Sequence, residues 1–521
     1  MLCKKEGKRV YFLDPTPQQL KWIDKKLTWE GHPEKQTFTD PATGEEIEQS
    51  VAKVEKLIFV DDEKGLAFTY HGLFEPLQAL AQFPMELVDE APRHFERIHI
   101  SKDILPGVEL HDYQIAAVAK AAMIKMGITE IPTGGGKTEV ILALLRYLLQ
   151  EGLINKALII VPSVGLCEQM YLRAVQLRGF TSDEIGMLSG EHKQFDSKIV
   201  VAVVNSINVG VKDGRKEVID LLATADFVGY DETHHLIASS WIQIANMATN
   251  SKYLLGWSGS PFQGEGIFEN SGDALMYGLM GNVIFTETYD HLLEIGQISQ
   301  AIVHMATVPG KYNKFMASFR YIYDKFIVEN DARNKLIEMY ARLFAEHGFS
   351  TLILIQRKEH AARLMMQLQD LDPITVLGGK KGMRFDGLEL EQCIIDYNVF
   401  RDKFAAGHYK IVIASSVMDE GMDVPNIGAL IMGGGGKSKI KARQRAGRGG
   451  RKKKFGPQQF YLVDFNDRTH VFLGSHSRKR LALYQEMRAV IVEDHYQFVN
   501  MAIVHGQHLR ALQNEEEGNE G

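Results

Sequence analysis

The sequence predicts an α/β protein in which two parallel-sheet domains follow one another, with a small α+β domain before them and a helical tail after them. Three observations predict this class. Short apolar runs alternate with helix-forming stretches, a glycine run separates one such pair, and an acidic pair ends a later apolar run. The 521 residues are enough for two α/β domains of ordinary size with additions.

We expect four regions along the chain. Residues 1–100 form an accessory α+β domain, residues 101–295 and 296–470 form the two parallel-sheet domains, and residues 471–521 form a helical tail with an acidic, disordered end. Within the accessory domain the composition predicts strands at 10–13, 57–60 and 66–70, helices at 18–27 and 74–81, and a polar loop at 33–49.

A glycine run gives the strongest local signal. Gly134, Gly135 and Gly136 precede Lys137 and Thr138, between a β-capable run and a helix-forming stretch. Glycines allow positive φ angles and let backbone amides approach phosphate oxygens. The lysine would neutralise the β- and γ-phosphates, and the threonine hydroxyl would bind Mg²⁺. The run therefore predicts a nucleotide triphosphate site. The usual pattern begins with a further glycine where this chain has an isoleucine, so a flexible glycine turn is the alternative.

An acidic pair, Asp231 and Glu232, lies about ninety residues further on, at the end of the apolar run 227–230. Ligands gather at the carboxyl ends of parallel strands. One carboxylate there can hold Mg²⁺ through water, and its neighbour can orient or deprotonate the attacking water. We interpret Asp231 as the metal holder and Glu232 as the catalytic base. A solvated acidic turn is the alternative.

A basic segment lies in the second half of the chain. Between Lys437 and Lys454 there are ten Lys or Arg residues and no acidic residue. Arg448 and Arg451 are three residues apart, so on a helix they would project from one face and could reach a γ-phosphate. A nucleic-acid-binding patch is the alternative, and we expect both interpretations to hold for different members of the segment. Residues 433–438 also look like a phosphate loop, but a basic stretch follows them, so we interpret them as a flexible loop near nucleic acid.

In this order, these motifs resemble those of the superfamily 2 helicases and translocases, over residues 110–465. The resemblance implies two RecA-like motor domains that hydrolyse ATP in the cleft between them and move along one nucleic-acid strand. The acidic box at 231–234, the small amino-terminal domain and the basic stretch at 475–480 look most like phage UvsW-type recombination helicases, which are relatives of RecG-like branch-migration motors.

The resemblance assigns further residues by their positions in the motifs. For the nucleotide it implies Gln114, which would read adenine, together with Asp423 and the arginine-bearing motif Gln444, Arg448 and Arg451. For coupling nucleotide state to movement it implies His234, Ser258 and Ser260. For contacts with nucleic acid we expect Pro162, Ser163, Asn205, Arg357, Ser416, Lys437 and Lys439.

The implied activity is that of an ATP-dependent DNA helicase or translocase that uses Mg²⁺ and acts 3′ to 5′ on single strands, forks and junctions in recombination, repair or replication restart. A motor subunit of a restriction-type complex and an RNA helicase are the alternatives. The intact Lys137, Asp231 and Glu232 argue against a non-catalytic binding module.

Residues 1–100 contain more acidic than basic residues, so a role as a wedge or in binding a protein partner competes with DNA engagement. A chain beginning near residue 101 would retain nucleotide binding, provided that the missing domain covers no large apolar face.

Composition limits the remaining possibilities. The net charge is −7, so any nucleic-acid binding depends on local basic clusters. The cysteines Cys3, Cys167 and Cys393 lack metal-ligand spacing and predict neither disulfides nor a zinc site. No apolar stretch approaches the roughly 18 residues that cross a bilayer, and the first residues lead into no signal-like segment. We expect a cytoplasmic protein, in the bacterial host if it is phage-encoded, with no membrane partner.

Overall fold

The computed structural model describes residues 1–30, 34–39, 46–51, 54–88, 98–248, 250–262, 264, 266–314, 318–378, 381–386, 389–415, 427–436, 439–450 and 458–519. The chain divides into two compact units. The first unit contains Met1–Glu130, Val140–Val161 and Arg178–Thr286, and the second contains Ile131–Glu139, Pro162–Leu177 and Glu287–Gly521.

The amino-terminal region is an α+β structure built on a five-stranded sheet. Its elements are β1 Leu2–Glu6, β2 Arg9–Phe12, α1 Pro17–Lys26, β3 Thr28–Glu30, β4 Glu34–Thr39, β5 Glu46–Val51, β6 Val54–Lys56, β7 Ile58–Asp61, β8 Leu66–Tyr70, α2 Phe74–Leu80 and β9 Glu86–Val88. The sheet order is β7-β8-β2-β1-β9, and β3-β6 and β4-β5 form separate antiparallel pairs. Helix α1 begins at a capping box, in which Thr16 Oγ1 accepts from the Gln19 amide and Gln19 Oε1 accepts from the Thr16 amide, and Pro17 starts the helix.

The prediction of a polar loop at 33–49 is wrong in part, because strands β4 and β5 lie largely within this range and pair antiparallel. The register pairs Glu34 with Val51 and Thr39 with Glu46. Backbone hydrogen bonds alone can pair two polar strands, so hydrophobic alternation gave no signal for them.

The first parallel sheet follows, with eight strands in the order β13-β12-β14-β11-β15-β16-β10-β17. The elements of this part of the chain are α3 Asp112–Ile124, β10 Met126–Glu130, α4 Lys137–Gln150, β11 Ala157–Val161, α5 Val164–Leu172, β12 Ile185–Ser189, β13 His192–Lys193, β14 Ile199–Val203, α6 Val204–Lys212, α7 Lys216–Thr224, β15 Phe227–Asp231, α8 Ser239–Met247, β16 Tyr253–Ser258, α9 Ser271–Met280 and β17 Val283–Thr286.

Parallel pairing in this sheet aligns the strand ends that matter for function. Strands β11, β14, β15 and β16 are buried along their whole length, as expected for the central strands of a parallel sheet with both faces covered. Strand β16 pairs with β15 on one side and β10 on the other, with Asp231 beside Trp257 and Glu130 beside Ser258. The carboxyl ends of β15, β16 and β10 therefore lie side by side at one edge of the sheet.

The amino-terminal region packs firmly on α9 of the first parallel-sheet domain. Leu73, Phe74 and Leu77 share a buried apolar cluster with Ala274. At Gly72 the approach is so close that an added Cβ would lie 1.9 Å from the Tyr277 carbonyl oxygen. The region thus covers an apolar helix face that would otherwise be exposed.

The second parallel sheet has seven strands in the order β20-β23-β19-β24-β25-β18-β26, and β21-β22 is a separate hairpin. The elements are α10 Tyr289–Glu294, β18 Gln300–Thr307, α11 Phe319–Tyr323, α12 Asp331–Glu346, β19 Thr351–Leu354, α13 Lys358–Gln367, β20 Ile374–Val376, β21 Lys381–Asp386, β22 Glu389–Ile394, α14 Tyr397–Ala405, β23 Ile411–Ala414, β24 Ala429–Ile431, α15 Lys439–Gly449, β25 Gln459–Asn466, α16 Val471–Glu486, β26 Val490–Ile491 and α17 His495–Asn519. The α/β class with parallel sheets is confirmed.

The tail differs from its expectation in two places. Val490, expected on a helix, lies in β26, which pairs with β18 and extends the sheet. The acidic end, expected to be disordered, continues α17 to Asn519. That helix packs on the second sheet through Phe498 and Ala502, so apolar contacts earlier in the helix support its polar end. Within the described part of the chain, no helix combines the length and apolar character needed to span a membrane.

Candidate nucleotide site and coupling motif

The glycine run links β10 to α4 with the backbone shape that a phosphate loop needs. Gly134 and Gly136 have φ angles of +91° and +76°, which side-chain-bearing residues rarely adopt. The Gly135 amide donates to the Pro132 carbonyl at 3.0 Å, and the Glu139 amide donates to the Gly136 carbonyl at 3.0 Å, where α4 begins. The loop therefore ends at a helix amino terminus, which favours an anion.

Lys137 opens α4, and its Nζ lies 3.4 Å from the carbonyl oxygen of Ile131. Ile131, which replaces the first glycine of the usual pattern, is fully buried. A Cβ added to Gly135 would lie 2.6 Å from Ile131 Cγ2, so the loop passes directly over this side chain. The isoleucine is thus accommodated beneath the loop, and these residues fit a triphosphate.

The glycine run and the arginine-bearing helix α15 both belong to the second unit. A Cβ added to Gly447, in the last turn of α15, would lie 2.7 Å from the Cβ of Thr133. The residue just before the glycine run therefore packs against the backbone of α15, and glycine at 447 permits this approach.

Gln114 lies in the first turn of α3 and is 3% exposed. Its Oε1 accepts from the His111 amide at 2.9 Å, as in a capping box. This bond fixes the orientation of the side-chain amide. Its role in reading adenine stays a prediction.

The acidic box follows β15 in a strained turn. Asp231 is 4% exposed, and its Oδ1 accepts from the Glu232 amide at 3.0 Å. Glu232 has a φ of +54°, which is uncommon for a non-glycine residue and directs the chain sharply out of the strand. The two adjacent carboxylates are therefore held in different surroundings, the first buried at the strand end and the second in the turn.

His234 connects this box with the end of β16. Its Nδ1 lies 3.4 Å from Glu232 Oε2 and 3.2 Å from Ser258 Oγ. Ser258 Oγ also accepts from the Ser260 amide at 3.2 Å, and Ser260 Oγ donates to the Gly259 carbonyl at 2.7 Å. The structure thus brings together the predicted base and the predicted coupling residues His234, Ser258 and Ser260.

Sequence reasoning missed Thr233, which is fully buried between β15 and β16. Its Oγ1 lies 3.0 Å from the Tyr230 carbonyl and 3.1 Å from the Trp257 carbonyl. A Cβ added to Gly256 would lie 2.4 Å from Thr233 Oγ1. A glycine inside an apolar strand often marks the close approach of another group. Gly256 was therefore the feature of the sequence from which the packing of Thr233 could have been predicted.

A second missed pair supports the start of α4. Glu139, one residue after Thr138, is 4% exposed, and its Oε1 accepts from Arg173 Nε at 2.7 Å. Thr138, for which we predict magnesium binding, is thus followed directly by an anchored side chain.

Three of the residues predicted to contact nucleic acid lie at the starts of three different helices. Ser163, preceded by Pro162, caps α5 because its Oγ accepts from the Leu166 amide at 3.3 Å. Asn205 is exposed in the first turn of α6. Arg357 precedes α13, and its Nε lies 3.4 Å from Asp324 Oδ1. Ser163 and Arg357 therefore have structural contacts already, and their roles toward nucleic acid stay predictions.

Several predicted residues lie outside what the structure describes. Ser416, Asp423, Lys437 and Arg451 are outside the described residues, and for Lys439, Gln444 and Arg448 the structure describes the backbone of α15 but not the side chains. Their roles stay predictions.

The prediction of a flexible loop at 433–438 is wrong for residues 433–436, the part that the structure describes. The carbonyl groups of Gly434, Gly435 and Gly436 accept hydrogen bonds from side chains of other elements. Such bonds fix the backbone in one arrangement, because each carbonyl would otherwise be buried without a partner.

Comparisons with known proteins agree with this geometry. Residues 107–263 match the family model of the type III restriction enzyme res subunit, and residues 331–453 match that of the helicase conserved C-terminal domain. Over 370 residues the chain is 25% identical to the DNA 3′-5′ translocase XPB2 of Sulfurisphaera tokodaii, which covers 66% of this chain and 79% of that protein. It is 24% identical over 352 residues to the ATP-dependent DNA helicase uvsW of Enterobacteria phage T4, with 66% of this chain and 65% of that protein covered.

Among solved structures, a fragment of a putative HsdR subunit of a type I restriction enzyme from Vibrio vulnificus shares the fold. The TM-score is 0.51 at 16% identity, covering 92% of this chain and 83% of that one.

The two family models together match more than half of the chain, in the order of the motifs described above. The chain belongs to the superfamily 2 helicases and is an ATP-hydrolysing enzyme of that class. Within the class it is similar to UvsW-type and XPB-like helicases.

Proposed function

We propose that this protein is an ATP-driven DNA helicase or translocase that acts on branched or forked DNA, moving 3′ to 5′. The observation that carries the proposal is the contact of His234 with both Glu232 and Ser258, because it joins a candidate base for hydrolysis to a motif expected to respond to it. The names of the sequence relatives, a DNA 3′-5′ translocase and a DNA helicase, support DNA as the substrate.

Each residue of the nucleotide site has a distinct task in this proposal. The amides of the glycine run and the ammonium group of Lys137 bind the phosphates, and Gln114 orients the adenine. Thr138 and Asp231 would hold Mg²⁺, which would supply positive charge to neutralise the phosphate oxygens. Glu232 orients the attacking water and accepts its proton. Arg448 and Arg451 stabilise the charge that develops on the transferred phosphoryl group, and Gln444 and Asp423 complete the nucleotide contacts.

The contacts with nucleic acid are assigned to one strand. Pro162, Ser163 and Asn205 would bind it from the first parallel-sheet part of the chain, and Arg357, Ser416, Lys437 and Lys439 from the second. Backbone contacts of this kind give affinity without sequence preference. We assign a role in recombination, repair or replication restart, in the cytoplasm, on the similarity to the phage helicase.

A motor subunit of a restriction-type complex is the second candidate, favoured by the family model that matches residues 107–263. Such a subunit would translocate along duplex DNA without separating the strands. An RNA helicase is the third candidate, since backbone contacts alone do not select DNA over RNA.

One experiment separates these candidates. ATP hydrolysis is measured with single-stranded, duplex, forked and four-way DNA and with single-stranded RNA, and strand separation is measured on the same forks. We expect forked and four-way DNA to stimulate hydrolysis most and to be unwound. Stimulation by duplex alone without unwinding favours the restriction-type motor, and stimulation by RNA alone contradicts the proposal.

The basic segment provides a separate test of DNA binding. Replacing Lys452, Lys453 and Lys454 with Ala should weaken DNA binding and lower the slope of log affinity against log salt, by roughly 0.9 for each phosphate that is no longer neutralised. Replacing the exposed Lys25 and Lys26 of α1 with Ala is the control and should leave the slope unchanged. An unchanged slope in the triple variant would show that these three lysines do not touch phosphate.

A further inference from the structure

The described part of the loop between β24 and α15, residues 432–436, is held by side chains from five separate parts of the second unit. We call it the clamped loop. Each of its five carbonyl groups accepts a hydrogen bond from such a side chain: Met432 and Gly433 from Arg333, Gly434 from Tyr323, Gly435 from Gln356 and Arg445, and Gly436 from Arg480. The donors come from α11, α12, the segment that follows β19, α15 and α16.

Two of these donors belong to a buried cluster of charges. Arg333 is fully buried, its Nε donates to Asp467 Oδ1 at 2.9 Å, and its guanidinium carbon lies 4.3 Å from the centre of the Phe465 ring. Arg480 donates to both oxygens of Asp464, at 2.7 and 3.0 Å. Each of the two guanidinium groups thus binds a carboxylate on one side and a carbonyl oxygen of the clamped loop on the other.

Stability alone does not explain this cluster. Buried ion pairs contribute little net stability compared with apolar residues of similar volume, because desolvation offsets the attraction between the charges. The cluster instead fixes the orientation of the two arginine side chains. Because the carboxylates hold the planar guanidinium groups in place, their remaining N–H groups have defined positions. From these positions they donate to the carbonyl oxygens of the clamped loop.

The clamped loop lies just before α15 and is hydrogen-bonded to it. Gly435 and Gly436 have φ angles of +58° and +117°, so the backbone turns there in a way that favours glycine. Helix α15 begins three residues after Gly436, and its own Arg445 is 3% exposed and donates to the Gly435 carbonyl at 3.3 Å. Helix α15 is therefore hydrogen-bonded, through Arg445, to the loop that precedes it.

We propose that Tyr323, Arg333 and Arg480 are positioning residues for ATP hydrolysis: they fix the clamped loop and thereby the place of α15 and its Arg448. This inference rests on the proposed function of Arg448. It makes α16, in the tail of the chain, part of the hydrolytic machinery. Removal of one donor shifts α15, so the rate of hydrolysis falls while the glycine run still binds ATP.

The sharpest test removes a single hydroxyl group. Tyr323 is 2% exposed and its hydroxyl donates to the Gly434 carbonyl at 2.7 Å. Tyr461 is a matched control, because it is 1% exposed and its hydroxyl donates to the Met501 carbonyl at 2.9 Å, away from the clamped loop. For Tyr323→Phe we expect kcat of DNA-stimulated hydrolysis to fall about fivefold with KM for ATP unchanged, because the loop loses one of the hydrogen bonds that place α15, and a fivefold change in rate is the size of effect that the net contribution of one hydrogen bond can give. For Tyr461→Phe we expect both constants to stay at the wild-type values, although Tm falls comparably in the two variants.

A second pair of variants keeps the test valid if the effect of one hydroxyl is small. Arg480→Lys retains the charge but not the fork that reaches Asp464 and Gly436 together, and kcat should fall at least as much as in Tyr323→Phe. Arg342→Lys, on α12 and away from the loop, is its control, because Arg342 also binds both oxygens of a carboxylate, that of Asp370.

The outcomes distinguish this inference from the proposed function. Equal kcat in Tyr323→Phe and Tyr461→Phe, with Arg480→Lys behaving like Arg342→Lys, would overturn the positioning role while wild-type hydrolysis stands. A rise in KM for ATP without a change in kcat would also overturn it. The wild-type protein alone tests the proposed function: if that function is wrong, its ATP hydrolysis will not respond to DNA.

Discussion

The Nδ1 atom of His234 lies 3.2 Å from the Oγ of Ser258, a residue that ends the neighbouring strand β16. The same nitrogen lies 3.4 Å from Oε2 of Glu232. One imidazole ring thus touches the predicted catalytic base and the predicted coupling motif. A change in the charge next to Glu232 can reach Ser258 through this ring, and β15 and β16 are adjacent strands held in register.

Removing the Ser258 hydroxyl should uncouple hydrolysis from movement. In Ser258→Ala we expect ATP hydrolysis within about threefold of wild type and unwinding of forked DNA lowered at least about tenfold, since the base is intact but its link to β16 is gone. Unwinding and hydrolysis are measured on the same fork. Ser189→Ala, a buried serine at the end of β12, is the control. If both activities fall by the same factor in Ser258→Ala, the serine does not couple them.

The glycine run and the acidic box should separate binding from hydrolysis. Lys137→Ala removes a charge from the phosphates, so we expect ATP binding and hydrolysis to be lost together. Glu232→Gln keeps the shape of the side chain and removes only its ability to accept a proton, so ATP should bind with nearly wild-type affinity while kcat falls at least about a hundredfold. Binding is measured with a fluorescent ATP analogue. Hydrolysis at the wild-type rate in Glu232→Gln would exclude it as the base.

We expect position 447 to require glycine, because Thr133 packs closely against its backbone. A Cβ at 447 would lie 2.7 Å from the Cβ of Thr133, so the glycine run or α15 must move in Gly447→Ala. We expect kcat for ATP to fall about tenfold with little change in Tm. Gly474→Ala on α16 is the control, because its nearest neighbour would be a carbonyl oxygen at an ordinary 3.5 Å. Wild-type kcat in Gly447→Ala would show that this packing is absent during turnover.

Deleting residues 1–100 should damage the motor domain itself. The sequence suggested that a chain starting near residue 101 would keep its activity if no large apolar face was exposed, but the amino-terminal region covers α9 through Leu73, Phe74 and Leu77. Exposed apolar surface of this kind leads to association. We expect the truncated chain to aggregate and to have a lower Tm, as measured by light scattering and thermal unfolding.

A milder change tests the accessory region without exposing that face. Trp29 Nε1 donates to the Phe268 carbonyl at 3.0 Å, and Lys8 Nζ donates to the Ala248 carbonyl at 2.9 Å. Trp29→Phe and Lys8→Met each remove polar contacts between the regions and should lower Tm by a few degrees without causing aggregation. A truncated chain that does not aggregate and keeps the wild-type Tm would show that the two regions are independent.

Acid should destabilise the second parallel-sheet domain through His360. Burial, reinforced by nearby Arg333, lowers the pKa of His360 from 6.5 to about 3, and its Nε2 lies 2.8 Å from Asn334 Oδ1. Between these values the unfolded chain binds a proton that the folded chain does not, so the stability contributed above pH 6.5 is lost as pH falls toward 3. The loss at pH 4.5 should be about 3 kcal/mol.

The measurement compares unfolding free energies at pH 7.5 and 4.5. His360→Gln cannot titrate and should lose about 3 kcal/mol less than wild type over this interval. His408→Gln, at an exposed position, should behave as wild type. Equal acid sensitivity of wild type and His360→Gln would show that another group causes the loss.

Features encoded by contiguous residues could be predicted from the sequence. Positive φ angles at Gly134 and Gly136 follow from glycine chemistry, and the buried strand ending at Asp231 follows from an apolar run, so the α/β class, the shape of the glycine run and the place of the acidic pair could be predicted. The order of the motifs then indicated the superfamily, because each motif needs its own strand end in the same kind of sheet.

The pairing of distant polar groups could not be predicted from the sequence. Arg333 and Asp467 are 134 residues apart, and Lys8 and Ala248 are 240 residues apart, so no local pattern relates them. A glycine-rich segment beside a basic stretch reads as a flexible loop until the side chains that bind its carbonyls are known. A buried charge or carbonyl is tolerated only with a partner at hydrogen-bonding distance, and that distance is set by the packing of whole elements rather than by neighbouring residues.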